Sequence, residues 1–289
     1  MKINLRNPIP LNLLLEGISL PQIRSEVFIE YFGPLKELNS GGLGFILEDE
    51  FNNENGAIVF GNVRATSFRG TYIITKNPRL SFVKAIEYFV SNDLIAVPEK
   101  TSDICKSVVL GKNVQIGNNV TIKSGTKVED NVTIKDNTII GHDCLVRSGA
   151  DIGGDGFGFE FDENNIPLKF HHFGGVYIGN NVEVGANTCI ARGTLSNTEI
   201  GDNTKIDNLV HIGHNCTIAE NCLIIAGAVL GGGVVVGKNC WIGPNSSVIH
   251  KVSVGSFSKI GIGACVLFDV APKTVLAQTH SRQLPLINK

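Results

Sequence analysis

Two histidines occupy nearly identical short segments, "IIGHDC" and "HIGHNC", which place His142 and His214 two residues after an aliphatic side chain. An imidazole titrates near neutral pH, so either residue could act as a general base that takes a proton from a nucleophile. Three consecutive glycines, Gly231–Gly233, follow the second histidine, and a glycine corner leaves backbone N–H groups open to a ligand. A base beside such a donor is the arrangement that acyl transfer needs, because the N–H stabilises the tetrahedral oxyanion.

The elements that position these residues are hexapeptide repeats. Aliphatic residues recur every six positions from Leu110 to Ile152, from Ile178 to Ile190 and from Ile200 to Val266. The position four residues after each aliphatic holds nothing larger than valine over most of these runs. The pattern predicts a solenoid of short strands in which one aliphatic and one small residue of each hexad point inward and each coil is covered by the next.

This period resembles the hexapeptide-repeat left-handed parallel β-helix, in which three hexads form a coil of 18 residues, and the handedness is taken from that resemblance. Stacking at this interval places Gly232 one coil after His214 and Glu160 one coil after His142. Only His214 would then face a glycine corner. We therefore predict that His214 is the base and that His142 is a corner residue.

The cysteines fit a structural role better than a metal or redox role. The chain has seven cysteines and no Cys-x-x-Cys pair. Cys144, Cys216, Cys222 and Cys240 fall at the small position of the hexad, where a thiol fills the core. The "HIGH" segment has His-x-x-His spacing, but on a bending strand this spacing does not converge on a metal as it would on a helix. We expect no metal site.

The segments outside the repeat divide the chain. Residues 1–98 predict a small α/β domain, with strands at "GAIVF" and "TYIIT" and a helix at "RLSFVKAIEYFVSN". The apolar face predicted for this helix consists of Leu80, Val83, Ile86, Phe89 and Val90. Residues 99–270 predict the solenoid and 271–289 a tail, and loops at 153–175 and 192–199 interrupt the repeat.

Composition excludes several classes of function. The formal net charge is −2 and no block of basic residues is present, so nucleic acid is not an expected partner. The longest apolar run, "LIIAGAVLGGGVVVG", is shorter than the roughly 20 residues that span a bilayer. The first residues make a poor secretory signal. These features favour a soluble cytoplasmic protein without a membrane span.

At the level of ordered motifs the chain resembles the UDP-3-O-acylglucosamine N-acyltransferase family. The motifs that carry the resemblance are "KNPRLSF" (76–82), "GGDGFGF" (153–159), "GGVYIGNNVEVGANTCIARG" (174–193) and "KIDNLVHIGHN" (205–215). The resemblance implies a homotrimer with active sites between neighbouring solenoids. It also implies an acyl thioester as co-substrate, on acyl carrier protein or coenzyme A, a nucleotide-linked amino sugar as acceptor, and no tightly bound cofactor.

The resemblance also assigns site residues. It makes His214 the general base and the Gly232 N–H the oxyanion donor, as the stacking argument had proposed. The residues expected to contact substrate are Phe45, Glu48, Phe51, Asp155, Phe157, Phe159, His171, His172, Asn215, His250 and Lys251. Of these, His250 and Lys251 align with a family histidine that contacts the nucleotide's phosphates.

The departures from the family pattern concern the substrate. Glu48 and Phe51 stand where the family has an asparagine and a tyrosine that help to hold uridine. Ala191 stands where the family's Asp-Arg-Gly segment has its aspartate. No counterpart of the family's C-terminal helices, which are associated with carrier-protein docking, is expected in "THSRQLPLINK". Two alternatives therefore stay open. One is N-acylation of another nucleotide-linked amino sugar from a short acyl-coenzyme A, for a surface polysaccharide, and the other is a non-catalytic solenoid scaffold.

Overall fold

The structure is a computed structural model that describes residues 1–46, 56–62, 70–97 and 101–277. It divides into two compact units, each made of several chain segments. The first comprises Met1–Lys100, Asp155–Gly175 and Arg192–Asn197. The second comprises Thr101–Gly154, Val176–Ala191 and Thr198–Lys289.

The first unit is built on a five-stranded sheet in the order β1-β2-β3-β4-β5. Its strands are β1 (Ile3–Pro10), β2 (Phe28–Phe32), β3 (Gly42–Phe45), β4 (Ile58–Gly61) and β5 (Thr71–Ile74). Its helices are α1 (Leu11–Gly17), α2 (Pro78–Ser91) and a 3-10 turn at Leu35–Glu37. The first two strands pair antiparallel, and the remaining pairs are parallel.

Helix α2 forms where the sequence predicts it. The side chain of Asn77 caps the helix by accepting a hydrogen bond from the N–H of Leu80 at 3.0 Å, and Pro78 occupies the first turn, where its missing N–H has no cost. Four of the five side chains predicted for the apolar face are buried: Leu80, Val83, Ile86 and Phe89. The prediction was wrong for Val90, which is 36% exposed, because Phe82 and Ala85 extend the buried face on its other side.

The two insertions into the repeat belong to the first unit because their apolar side chains complete its core. Phe170 and Leu195 are buried in the same cluster as Phe32 and Phe82. The rings of Phe32 and Phe173 lie 5.1 Å apart, edge to face. The first insertion contains an antiparallel hairpin of β15 (Phe159–Phe161) and β16 (Pro167–Lys169).

Two ion pairs and a histidine–carboxylate hydrogen bond also hold this insertion against helix α2. The three pairs are Arg79 with Glu160 at 2.9 Å, Lys84 with Glu163 at 2.7 Å, and His171 with Glu87 at 2.8 Å. The carboxylate of Glu87 accepts hydrogen bonds from His171 and from Ser91, and these lower its pKa. The sequence had predicted these loops as parts of the solenoid domain, since it gives no sign of which core a looped-out segment joins.

The second unit is a parallel β-solenoid with three faces, as the hexads predict. Face 1 contains β6 (Asp103–Ile104), β9 (Thr121–Ile122), β12 (Thr138–Ile140), β17 (Val176–Ile178), β20 (Thr198–Ile200), β23 (Thr217–Ile218), β26 (Val235–Val236) and β29 (Ser253–Val254). Face 2 contains β7 (Val109–Leu110), β10 (Lys127–Val128), β13 (Leu145–Val146), β18 (Glu183–Val184), β21 (Lys205–Ile206), β24 (Leu223–Ile224), β27 (Trp241–Ile242), β30 (Lys259–Ile260) and β32 (Val275–Leu276). Face 3 contains β8 (Gln115–Ile116), β11 (Thr133–Ile134), β14 (Asp151–Gly154), β19 (Cys189–Ala191), β22 (His211–Ile212), β25 (Val229–Leu230), β28 (Ser247–Val248) and β31 (Cys265–Val266).

The boundaries of the solenoid differ slightly from the predicted ones. Strand β32 pairs with β30, so the solenoid continues past residue 270 into the predicted tail, of which 278–289 lie outside the described residues. Strand β14 extends to Gly154 and β20 begins at Thr198, which shortens both predicted loops. Within the described residues, no helix is both long and apolar enough to cross a bilayer.

The residue types at several positions of the hexad follow from the stacking of coils. Where a glycine follows the inward aliphatic, a Cβ built on it would come close to the backbone of the next coil. At Gly213 it would lie 2.7 Å from the Gly232 nitrogen. The corner itself takes a left-handed residue, most often asparagine, as at Asn119 with φ 53°. The small position is buried, and Cys144, Cys216, Cys222 and Cys240 fill it at 0–3% exposure, as predicted.

Candidate active site

His214 lies at the corner between faces 3 and 1, immediately after β22. The ladder pairs His211 with Val229 and Ile212 with Leu230, so the next coil brings Gly232 to the level of His214. A Cβ built on Gly232 would lie 2.6 Å from His214 Nε2, so the imidazole packs directly on this glycine. The predicted register is confirmed, and only glycine leaves room for the ring.

The neighbour of His214 in sequence orients its ring. His214 Nδ1 and Asn215 Oδ1 lie 2.9 Å apart. An amide oxygen can only accept, so Nδ1 carries the hydrogen and donates it. In the neutral imidazole the lone pair is then on Nε2, the nitrogen that packs on Gly232. His214 is therefore held in the tautomer that accepts a proton on the Gly232 side.

Two features fix Asn215 itself. Its φ of 59° is left-handed, a conformation that asparagine adopts more readily than other residues with a Cβ. Its N–H donates to Oγ1 of the buried Thr198 on the preceding coil at 2.9 Å. The sequence had placed Asn215 among the substrate contacts and had not singled out Thr198. The hexad pattern could have indicated Asn215 as a turn residue. It contains nothing that points to Thr198.

The N–H of Gly232 belongs to the corners at which this group is left open. At five other corners the equivalent N–H donates to a carboxylate or amide oxygen of the next coil, as Lys112 does to Asp130 Oδ1 at 2.7 Å. The same arrangement recurs at 2.7–2.9 Å for Asn118, His142, Asn180 and Ala186. Eighteen residues after Gly232 stands His250, which has no such oxygen. In the part of the chain that the structure describes, the Gly232 N–H donates no hydrogen bond.

His142 has a different environment, and the predicted neighbour was wrong. The ladder pairs Ile140 with Ile178, so the next coil brings Asn180 and not Glu160 to the level of His142. The reason is that the insertion lies between these coils and leaves the stack. The N–H of His142 donates to Asn180 Oδ1 at 2.9 Å, and its Nδ1 lies 2.8 Å from Ser124 Oγ. His142 therefore has no open donor beside it.

The first histidine of the "HIGH" segment lies on the outer side of its strand. His211 points outward from β22 and is exposed, yet the strands around its ring partly desolvate it. This desolvation lowers the pKa of His211, and the nearby His214 lowers it further. Among the residues that are described, no group of three or more His, Cys, Asp or Glu side chains could hold a metal ion.

The predicted substrate residues of the first insertion lie in the first unit. Asp155 forms an ion pair with Lys169 at 2.7 Å. Burial raises the pKa of Asp155, but the ammonium of Lys169, with smaller contributions from His172 and Arg192, outweighs burial and leaves the pKa below its usual value. Asp155 is therefore a carboxylate at neutral pH.

The aromatic and imidazole side chains of this insertion have separate surroundings. The rings of Phe157 and Phe159 lie 4.8 Å apart, and Phe157 is 91% exposed. His171 contacts Glu87, whereas His172 is buried beside Gly158. The two histidines thus do not converge on one point. An exposed pair of phenylalanines is an apolar surface that a ligand can cover.

The remaining predicted contacts are scattered. Phe45 is half-buried against Phe82, with ring centroids 5.1 Å apart, in the first unit. Glu48 and Phe51 lie outside the described residues. His250 and Lys251 are exposed at the same solenoid corner as His214, two coils further on. Their role in substrate binding stays a prediction.

The fold, the hexads and the corner site define a class, the hexapeptide-repeat β-solenoid proteins. Residues 107–142 and 197–232 match the family described as bacterial transferase hexapeptide (six repeats). Residues 233–267 match the hexapeptide repeat of succinyl-transferase. Apart from Asn197, these matches lie within the second unit, and they include both His214 and Gly232.

Particular relatives are similar over part of the solenoid. UDP-3-O-acylglucosamine N-acyltransferase 2 of Legionella pneumophila subsp. pneumophila (strain Philadelphia 1) is 59% identical over 63 residues. The enzymes named UDP-3-O-acylglucosamine N-acyltransferase from Rickettsia massiliae and Shewanella denitrificans are 56% and 51% identical over the same length. Each match covers 22% of this chain and 18% of the relative, so this chain spans less than a fifth of the curated relatives it matches.

Solved structures extend the similarity of the fold. The UDP-N-acetylglucosamine acyltransferase of Francisella novicida aligns at 30% identity and a TM-score of 0.56, over 62% of this chain and 63% of that one. The UDP-N-acetylglucosamine O-acyltransferase of Moraxella catarrhalis aligns at 23% identity and a TM-score of 0.54, over 59% and 65% of the two chains. The second alignment concerns the fold alone.

Proposed function

We propose that this protein is an N-acyltransferase that moves a 3-hydroxyacyl group from a thioester to the amine of a nucleotide-linked amino sugar. UDP-3-O-acylglucosamine, an intermediate of lipid A synthesis, is the proposed acceptor, since the sequence relatives are named for it. The observation that carries the proposal is the packing of the His214 imidazole on Gly232, whose N–H has no acceptor in the described part of the chain. This pairing supplies a base and an oxyanion donor at one corner.

The mechanism uses groups that the corner supplies. The sugar amine attacks the thioester carbonyl, and a bond forms between nitrogen and carbon. His214 Nε2 takes the amine proton while the Gly232 N–H donates to the oxyanion. The C–S bond then breaks, and the thiolate leaves with the proton that His214 returns. General-base catalysis contributes on the order of 10²–10⁴-fold, and one oxyanion donor about 10²–10³-fold.

The remaining contacts are proposed from charge and exposure. His250 and Lys251 are exposed at the corner of His214 and would bind the phosphates of the nucleotide. Phe45 would contribute an aromatic surface to the base. Phe157 and Phe159 offer an apolar surface for the acyl chain or the sugar. The donor is a co-substrate on acyl carrier protein or coenzyme A, and no tightly bound cofactor takes part in the proposed reaction.

A homotrimer is proposed as the working form. Outward side chains of the solenoid include exposed apolar residues, among them Leu223, Val229 and Val235 at 41–44% exposure. These three side chains lie one on each face, and exposed apolar side chains of a solenoid can be covered at interfaces between copies of a chain. The cytoplasm is the proposed compartment, because acyl thioesters and nucleotide sugars are metabolites of that compartment. Light scattering at several protein concentrations measures the oligomeric state.

The test is a mass-spectrometric transfer assay with two donor–acceptor pairs. One pair is 3-hydroxyacyl carrier protein with UDP-3-O-acylglucosamine, and the other is short acyl-coenzyme A thioesters with nucleotide-linked amino sugars. We expect product from the first pair and a loss of at least about 100-fold in His214→Ala. His142→Ala is the matched control and should retain activity. Product from the second pair alone would replace the proposed substrates, and no product from either would favour a scaffold.

A further inference from the structure

One face of the hairpin formed by β15 and β16 carries exposed aromatic side chains. The ladder pairs Glu160 with Leu168, and these two residues face inward: Glu160 contacts helix α2, and Leu168 packs on the core of the first unit. Side chains alternate along a strand, so Phe159 and Phe161 point to the opposite face of the hairpin. Both are exposed, and this outer face is therefore open to solvent.

Phe157 extends the exposed aromatic surface beyond the start of β15. The N–H of Phe170 donates to the carbonyl of Gly158 at 3.0 Å, so the two strands stay paired past Phe159. Phe157 lies on the same face as Phe159, since their ring centroids are 4.8 Å apart. The side chains of Phe157, Phe159 and Phe161 form the phenylalanine row. At about 3.3 Å per residue the row is roughly 13 Å long.

The exposed area of the phenylalanine row limits what can cover it. The three side chains are 91%, 40% and 62% exposed, which at about 200 Å² per side chain amounts to roughly 400 Å². A stable interface between proteins buries about 800 Å² on each partner, so the row is too small to hold a second copy of the chain. Its length is that of an extended hydrocarbon of roughly ten carbons, because each C–C bond of about 1.5 Å advances the zigzag by slightly less.

The charge beside the row favours a single alkyl chain over a membrane surface. Lys169 lies opposite Phe159 in the hairpin, and Asp155 neutralises its ammonium at 2.7 Å. Apolar segments that bind membrane surfaces add basic side chains that attract anionic lipids. Lys169 does not supply this attraction, because its charge is already paired. An uncharged linear chain needs no such partner.

The core of the first unit connects the hairpin to the side chain proposed to contact the nucleotide base. The rings of Phe45 and Phe82 lie 5.1 Å apart, and those of Phe82 and Phe170 lie 6.1 Å apart. Phe170 directly follows β16. The row and the proposed base contact thus belong to one compact unit. A chain bound by the row is therefore assigned to the molecule that carries the base.

We propose that the phenylalanine row binds the 3-O-acyl chain of the acceptor, an assignment that rests on the proposed function. The first test is calorimetric titration of the full chain with alkyl β-glucosides from butyl to decyl, each below its micelle concentration. A chain on an open face is covered on one side, so affinity should rise about twofold per methylene until the row is covered. Phe161→Ser should bind decyl glucoside about tenfold more weakly, because about half of one ring loses its contact.

Ile166→Ser is the matched control for this titration. Ile166 is 59% exposed, so the variant also removes an exposed apolar side chain from the same insertion. The N–H of Asp162 donates to the carbonyl of Ile166 at 3.0 Å, which continues the hairpin ladder. Ile166 therefore points to the side of Leu168, away from the row, and its variant should bind decyl glucoside as wild type does.

The transfer assay tests which substrate the row binds. Phe161→Ser should raise the KM for UDP-3-O-acylglucosamine about tenfold and change kcat less than about threefold, because the lost contact is the same in the ground state and the transition state. The KM for the thioester donor should not change. An acceptor whose 3-O-acyl chain is shortened to acetyl should react equally well with wild type and with Phe161→Ser.

Each other outcome overturns a definite part of the proposal. Affinity that does not depend on alkyl length, or that is equal in Phe161→Ser, would overturn the site. A raised KM for the donor alone would overturn the acceptor assignment, and so would alkyl binding by a protein that gives no acyl transfer. A changed oligomeric state of Phe161→Ser in light scattering would assign the row to an interface between copies. Binding of wild type, but not of Phe161→Ser, to phosphatidylcholine vesicles would assign it to a lipid surface.

Discussion

Substitution of Gly232 by alanine tests how closely the position of the His214 ring controls turnover. The new Cβ would lie 2.6 Å from Nε2 and 2.8 Å from Cε1 of His214, and ordinary contact begins near 3.4 Å. The ring must therefore retreat by about 0.8 Å. The backbone need not change, since the φ of Gly232 is not in the left-handed region.

The expected effect follows from this displacement. A shift of roughly 1 Å in a catalytic group costs about 100-fold in rate, which is about 2.7 kcal/mol. Gly232→Ala should therefore lower kcat/KM about 100-fold in the transfer assay while the solenoid still melts cooperatively near the wild-type temperature.

A double-mutant cycle isolates the cause of the loss. In a His214→Ala background there is no ring for the new methyl to displace, so Gly232→Ala should there cost less than about threefold. A loss of 100-fold in both backgrounds would refute the reasoning, because the methyl would then act without the imidazole. A loss of less than about threefold in the wild-type background would equally refute it, since the ring position would not matter.

Three further predictions concern single residues. Asn215→Gly keeps the left-handed turn but removes the oxygen that accepts from His214 Nδ1, so kcat should fall at least about tenfold. Asn215→Asp keeps an accepting oxygen and should therefore retain activity. Burial raises the pKa of the Cys216 thiol from 9.0 to about 11, so its contribution to stability is present below pH 9 and is lost as the pH rises from 9 to 11. Across that interval urea denaturation should find that the wild type loses about 2–3 kcal/mol more than Cys216→Ala, and an equal loss in both would contradict the assignment. In native protein at pH 7.5, maleimide should label Cys265 before Cys189, because desolvation raises the pKa of the Cys189 thiol. Labelling of the buried Cys216 before both of these exposed cysteines would contradict the prediction.

The sequence predicted the solenoid well because the hexads repeat the same two core requirements. An inward aliphatic and a small buried residue recur with a fixed period, often with a glycine after the aliphatic, and neighbours on the next coil can be found by counting along this period. Counting from His214 to Gly232 succeeded because no residue is looped out between β22 and β25. Counting from His142 failed because the stack skips an insertion, and its neighbour is Asn180.

The first unit was harder to predict because its contacts have no period. Strand "TYIIT" and helix α2 could be predicted from local pattern, but β1 begins in a segment where Pro8 and Pro10 obscure the alternation. The capture of Phe170 and Leu195 by this core depends on shape complementarity between distant segments. No local sequence pattern in either insertion indicates which core its apolar side chains will join.

The ladder of face 3 has a consequence for how such a chain can change over time. Its successive partners Asp151, Cys189, His211 and Val229 are separated by 38, 22 and 18 residues, yet each pairs with the next, and the register shifts only after Ile152, at the longest spacing. Alignment of one coil on the next is thus independent of how much chain leaves at the corner between them. Chain segments of different lengths therefore leave at this corner while the strands of the next coil still pair. A lineage can therefore acquire new peripheral loops by insertion or deletion while its histidine and its glycine remain paired.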